Sequence, residues 1–236
     1  MSARLPIMVL GRSGRMAQAL VRQVSAATDL TLVGVLPGRD GSVESYVEAL
    51  ETCPNETVVC DFSHPATLRI LIEALERAPR ALVTGTSGLD AEDETALAVI
   101  ARRVAVIRGR NFSLGAVMAR MLIRILGQLS AYDPTWEAAI LDFHHARKLD
   151  RESATAGDWA AAWAEGAPGR SSPISPIRLG DAISEHSFIA AGRGERVEIA
   201  HRLLSFEAPV AGALAAARFV ASSLPGMYGP ESLLRS

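Results

Sequence analysis

Leu5-Pro6-Ile7-Met8-Val9-Leu10 is a short apolar run that stops at Gly11, and an amphipathic helical pattern begins at Met16. A buried parallel strand has this appearance, and the segment Gly11-Arg12-Ser13-Gly14-Arg15-Met16-Ala17 must turn it sharply into a helix. Gly11 permits the turn, Gly14 leaves room for a close ligand, and Ala17 lets helix and strand pack closely. The helix N-terminus adds N–H donors and partial positive charge, so the turn is suited to a pyrophosphate. This one feature predicts a dinucleotide-binding α/β unit.

The following residues continue the alternation. Strands are expected at Leu30–Leu36, Thr57–Phe62, Ala81–Gly85 and Val104–Arg108, and helices at Met16–Ala27, Val43–Leu50, His64–Arg77 and Ala91–Arg102. Such alternation means a doubly wound parallel sheet with crossover helices, the Rossmann-type architecture. After Asn111 the pattern changes. A long apolar helix is expected over Val117–Leu129, a strand over Thr135–Phe143, a helix over Asp158–Trp163 and a loop over Gly166–Pro176. Strands over Ile177–Leu179, Ser184–Ala190 and Arg196–Leu204 then form a second sheet, and Val210–Ser222 is a final helix. The expected organisation is a dinucleotide-binding domain at 1–113, a smaller α+β substrate and oligomerisation domain at 114–205, and a C-terminal helix at 206–236 that returns to the first domain.

The second strand ends in Leu36-Pro37-Gly38-Arg39, with no carboxylate before Asp40. An acidic residue there would favour NAD, whereas Arg39, Arg12 or Arg15 could meet a 2′-phosphate, so NADPH is expected and NADH stays open. Ligands of open α/β sheets sit beyond the carboxyl ends of the strands. Gly85-Thr86-Ser87-Gly88 and Asn111-Phe112-Ser113 occupy such places and are candidates for contact with a nicotinamide ring or substrate. His144-His145-Ala146-Arg147-Lys148-Leu149-Asp150 then gathers two imidazoles and cations, suited to proton transfer near neutral pH. Ser153 and Thr155, with the amides that start the next helix, can grip a carboxylate. No metal is expected, because adjacent histidines diverge on a strand and no further His or Cys lies at ligand spacing.

Composition removes other classes. A net charge of −2 over 236 residues argues against nucleic-acid binding through a basic face. Leu5–Leu10 is too short for a signal-peptide core, no apolar run reaches the ~18 residues of a membrane span, and Cys53 and Cys60 read as reduced thiols. A cytoplasmic chain is expected.

The motifs together resemble the dihydrodipicolinate reductase (4-hydroxy-tetrahydrodipicolinate reductase) family of bacterial lysine and diaminopimelate biosynthesis. The resemblance rests on the glycine turn, Asp61-Phe62-Ser63, Gly85-Thr86-Ser87-Gly88 and Asn111-Phe112-Ser113-Leu114-Gly115. It rests also on the His144–Asp150 string, Arg178-Leu179-Gly180-Asp181 with Glu185-His186, Gly194-Glu195 with His201, and Pro225-Gly226-Met227-Tyr228. It implies a pyridine-nucleotide reductase of a cyclic, carboxylate-bearing imine, assembled as a homotetramer. It implies His144 as acid/base, Lys148 as proton donor, His145 as a substrate ligand, and Ser153-Ala154-Thr155 as the carboxylate grip, with Thr86 also near the substrate. Several positions depart from the family pattern, where Asp-Ala-Pro-Ser-Gly-Thr-Ala stands as Asp150-Arg151-Glu152-Ser153-Ala154-Thr155-Ala156. Glu152 adds a negative charge, Ala154 replaces a glycine, and Phe206 replaces an arginine. They leave open a relative that reduces another imine in secondary metabolism, or a nucleotide-binding scaffold without activity.

Overall fold

A computed structural model describes residues 3–149 and 151–234. The chain divides into two compact units, Met1–Phe112 with Pro209–Ser236, and Ser113–Ala208.

The first unit is built on a parallel six-stranded sheet. Its strands are β1 (Leu5–Leu10), β2 (Leu30–Leu36), β3 (Val58–Asp61), β4 (Ala81–Thr84), β5 (Ala105–Arg108) and β10 (Gly226–Tyr228), in the order β10-β5-β4-β3-β1-β2. β1 lies between β2 and β3, so successive crossovers leave it in opposite directions and open a crevice at its carboxyl end. Strand alternation gives each face its own core. Ile7 and Val9 pack with Leu20 and Val24 of α1 (Arg15–Ala26) and with Val210, Ala213 and Ala217 of α7 (Glu207–Ala221). Met8 and Leu10 face the other way, onto Tyr46 and Leu50 of α2 (Val43–Thr52) and Leu68 and Leu71 of α3 (Pro65–Arg77). Leu97 of α4 (Ala91–Ile100) joins that side. Each such fully buried side chain contributes about 1.5–3 kcal/mol.

The second unit carries β6 (Glu137–His144), β7 (Ile174–Arg178), β8 (Ser184–Gly192) and β9 (Glu195–Leu203) in the order β7-β6-β8-β9. β7 runs parallel to β6, and the other pairs are antiparallel. α5 (Leu114–Leu129) and α6 (Ala154–Gly166) fill the core with Ile123, Trp159 and Trp163 against Ile140 and Phe188. The two helices cross at Gly127 and Gly166, where backbones touch. A Cβ on Gly127 would lie 2.9 Å from the Trp163 carbonyl oxygen, and one on Gly166 would overlap that of Arg124.

Several expectations change. Ile174–Arg178 is a strand, although the sequence pattern predicts a loop as far as Pro176. β7 is an edge strand, so the missing N–H of Pro176 costs it no ladder bond. α6 begins at Ala154 and not at Asp158, because Ser153 caps it through a bond from the Ala156 N–H. The short strand β10 lies beyond the expected final helix. The segment Leu114–Tyr132 is 19 residues long with mean hydropathy 1.3, so it does meet the length and composition of a membrane crossing. In this fold Ala119 and Ile123 enter the core and Arg120 pairs with Glu165 at 2.7 Å, so the segment is a packed helix of the second unit.

Candidate active site

At the end of β1, Gly11 has φ +95°, a backbone conformation that only glycine adopts without strain. Gly14 is the N-cap of α1 and offers no side chain to the first-turn N–H groups. Those donors therefore point at whatever occupies the turn. A cleft of about 440 Å³ opens there. Gly11, Arg12, Ser13 and Gly14 line it from β1, Arg39 and Asp40 from β2, and Phe62 and His64 from β3. These residues fit a dinucleotide phosphate, with two arginines placed for anionic groups. Asp40, to which the sequence pattern assigns no role, lines the same cleft. Arg15 and Met16 fall in the first turn of α1, where Met16 packs against the core.

The next loops are held by Asp61, a fully buried carboxylate that ends β3. Its Oδ1 accepts from the N–H and Oγ of Ser63, at 3.0 and 2.5 Å. Its Oδ2 accepts from Thr84 Oγ1 at 2.6 Å and Thr86 Oγ1 at 2.7 Å. Thr86 thus spends its hydroxyl hydrogen on Asp61, and its oxygen accepts from the Ser63 N–H at 3.1 Å. Gly85, Thr86 and Ser87 follow β4 directly. Phe112 is 1% exposed, and its ring stands edge-on to Phe62 at 5.4 Å, so its side chain backs a cleft residue and does not line the cleft.

The second unit gathers the histidines. β6 presents Ala138, Ile140, Asp142 and His144 to the buried face. Register places His186 of β8 opposite Asp142, and His201 of β9 opposite His186. Asp142 is fully buried. Its Oδ1 lies 3.1 Å from Nε2 of His144 and 3.1 Å from Nε2 of His186, both too far out of line for a hydrogen bond. Its Oδ2 accepts from the Ser153 N–H at 3.0 Å and lies 3.4 Å from the Arg178 guanidinium. Burial alone would raise the pKa of this carboxyl. Contacts from His144, His186 and Ser153 outweigh burial and hold it well below the usual range. Nδ1 of His144 sits 3.1 Å from the Ile183 carbonyl, which can only accept, so Nδ1 carries the hydrogen there. Ser153 Oγ lies 2.9 Å from Nε2 of His186. His201 lies beside Ser113 Oγ at 3.1 Å, and burial, then the nearby His186, lower its pKa.

Lys148 occupies the turn after β6, where its N–H bonds the His145 carbonyl at 3.1 Å. His145 is half-buried, Arg147 is exposed, and Asp150 lies outside the described residues. Thr155 is the second residue of α6, so the Ser153-Ala154-Thr155 turn opens that helix beside Asp142. No described residue other than glycine has positive φ, so Ala154 is unstrained where the family pattern has glycine. Glu152 is exposed, which weakens its repulsion of an anion.

Spacing along the chain concealed one grouping. Asp142, His144 and His186 each offer a ligand atom, all within 4.8 Å of one another, so the expectation that no further ligand accompanies His144 is corrected. On distance these three could hold a metal ion. The donor chemistry favours a hydrogen-bonded network, because Ser153 Oγ reaches Nε2 of His186 and the Arg178 cation adjoins the same carboxylate.

Comparison with known proteins identifies the family. The sequence profile "Dihydrodipicolinate reductase, N-terminus" matches residues 5–112, and "Dihydrodipicolinate reductase, C-terminus" matches 115–234. The 4-hydroxy-tetrahydrodipicolinate reductase of Xanthomonas euvesicatoria pv. vesicatoria (strain 85-10) is 33% identical over 241 residues, covering 99% of each chain. That of Xylella fastidiosa (strain M23) is 33% identical over 246 residues, covering 99% of this chain and 100% of its own. The fold matches that of the dipicolinate-bound dihydrodipicolinate reductase from Paenisporosarcina sp. TG-14 with a TM-score of 0.79, at 22% identity and over 97% of this chain and 99% of that one. With both halves matched by the same family and relatives aligned over nearly their whole length, the chain belongs to the dihydrodipicolinate reductase family of oxidoreductases.

Proposed function

We propose that this chain reduces 4-hydroxy-tetrahydrodipicolinate to tetrahydrodipicolinate with loss of water, using NADPH. The observation that carries the reading is the His144 imidazole, 9% exposed at the end of β6 and backed by Asp142, with the Ser153–Thr155 turn held by the same carboxylate. A reduced nicotinamide dinucleotide, with its phosphates held at the Gly11–Gly14 turn, would supply the hydride. The remaining chemistry is departure of the 4-hydroxyl with a ring hydrogen as water, and a proton delivered to the ring after the hydride; His144 and Lys148 are the groups suited to deliver that proton. His145 and the α6 turn orient the substrate carboxylates. Arg12 and Arg39 favour NADPH through its 2′-phosphate, while Asp40 beside them leaves NADH a usable partner. The family resemblance supports a homotetramer, which light scattering would test directly.

The functional test is oxidation of NADPH with the substrate generated in situ. His144→Ala and Lys148→Ala should each lower kcat on the order of 100-fold or more, with little change in NADPH affinity. A folded protein that binds NADPH but does not turn this substrate over would end the reading.

A further inference from the structure

Asp142 enters the reading above only as a backing for His144 and the turn, yet polar groups of the second unit converge on it. It is fully buried, and an isolated carboxylate in such a place is costly to ionise. Four groups from four elements converge on it. They are His144 of its own strand, Arg178 of β7, His186 of β8 and the Ser153 N–H before α6. Arg178 also donates to the Asp142 carbonyl at 2.8 Å and to that of Arg151 at 2.7 Å, so it straps the β6 end to the chain entering α6. Trp159 lies against the His186 ring at 5.5 Å, and His186 stands edge-on to His144 at 5.6 Å.

We propose that Asp142 is the positioning residue of this site. One carboxylate lies against the His144 ring through Oδ1, by charge and contact, and holds the carboxylate-gripping turn by a hydrogen bond to Oδ2. The two halves of the reactive geometry, a proton-bearing imidazole and a substrate anchor, are thereby fixed to each other through a single rigid group. The Ile183 carbonyl holds Nδ1 of His144, which leaves the buried Nε2 as the ring nitrogen that faces Asp142. When Nε2 is protonated, the charge forms 3.1 Å from Oδ1. In a site shielded from water, that proximity stabilises the charged ring without rearrangement. Asp142 is fully buried behind these groups, so it acts through His144 and Ser153. Its kinetic consequence rests on the proposed reaction, whereas its effect on the imidazole does not.

The test compares the full-length wild type with Asp142→Asn, which keeps the shape and removes the charge, and Asp142→Glu, which keeps the charge. We expect Asp142→Asn to lower kcat on the order of 100-fold. KM for the imine should rise and KM for NADPH stay unchanged, because the nucleotide turn belongs to the other compact unit. Asp142→Glu should recover part of the lost rate. Nitrogen-15 NMR of the histidine rings gives the arm that needs no turnover. Wild-type His144 should show its hydrogen on Nδ1, and Asp142→Asn should shift both ring nitrogens. A wild-type His144 with its hydrogen on Nε2 overturns the proposal, even if the variants do not fold. So does Asp142→Asn with a wild-type rate and unmoved ring signals, or Asp142→Glu no better than Asp142→Asn. A wild type that shows the NMR pattern but no turnover would instead refute the reaction.

Discussion

Removing the Asp61 carboxylate should loosen the loops around the nucleotide cleft and weaken the first unit together. In Asp61→Ala, the hydroxyl hydrogens of Thr84 and Thr86 lose their shared acceptor Oδ2, and Ser63 loses Oδ1. Thr84 and Thr86 are 0% and 4% exposed, so water does not readily replace it. A buried hydroxyl left unpaired costs about 1–3 kcal/mol, which gives about 2–6 kcal/mol for the two. Relief from burying a charge offsets part of that, so about 3 kcal/mol is a working figure. For a chain of this length that is a fall in Tm of roughly 6–12 °C. Asp61→Asn should fall less, because both threonine hydroxyls can rotate to accept from the new amide. Ser63 and Gly85–Ser87 take their places from this carboxylate, so NADPH should bind Asp61→Ala about tenfold more weakly, ~1.4 kcal/mol. Differential scanning fluorimetry and NADPH fluorescence titration measure the two effects. An Asp61→Ala protein that melts within about 2 °C of wild type and binds NADPH equally would refute the argument, since that fall is less than 1 kcal/mol.

Three further outcomes follow from named contacts. Arg39→Ala should lower NADPH affinity by about ten- to a hundredfold, the loss of one charge-assisted bond of about 1.5–3 kcal/mol, and leave NADH affinity unchanged; equal losses for both would place Arg39 away from the 2′-phosphate. Gly166→Ala should destabilise the second unit by about 1–3 kcal/mol, because its Cβ meets the Arg124 carbonyl and α5 and α6 must part; thermal melts read this. The depressed pKa of Asp142 contributes stability that is present above the ordinary carboxylate range and is lost as pH falls through the folded-state value. Melts between pH 6 and about pH 2 should therefore decline less steeply for Asp142→Asn than for wild type.

What the sequence concealed was concealed for one physical reason. Periodicity reports which positions face the core, and it works when those positions are apolar. Along β1, alternating Ile7 and Val9 against Met8 and Leu10 marks a strand packed on both faces, and the glycine turn after it reads directly as a phosphate site. Along β6 the buried parity begins as Ala138 and Ile140 and ends as Asp142 and His144, so the alternation reads as loose. That looseness is itself the signal. A carboxylate at a buried parity must find donors, and the donors lie on strands whose register no single sequence states. His186 is 44 positions beyond Asp142 and becomes its neighbour only through the β6–β8 ladder, as Arg178 does through β6–β7. Asp61 repeats the case at the end of β3, where Thr84 and Thr86 arrive through β4. Asp61 ends its buried strand and Asp142 lies one buried position before the end of its own, and each ties down the loops next to it. A lone acid at a buried position near the end of a strand therefore marks where a fold of this kind anchors the loops beside it, and that mark is legible in the residue pattern alone.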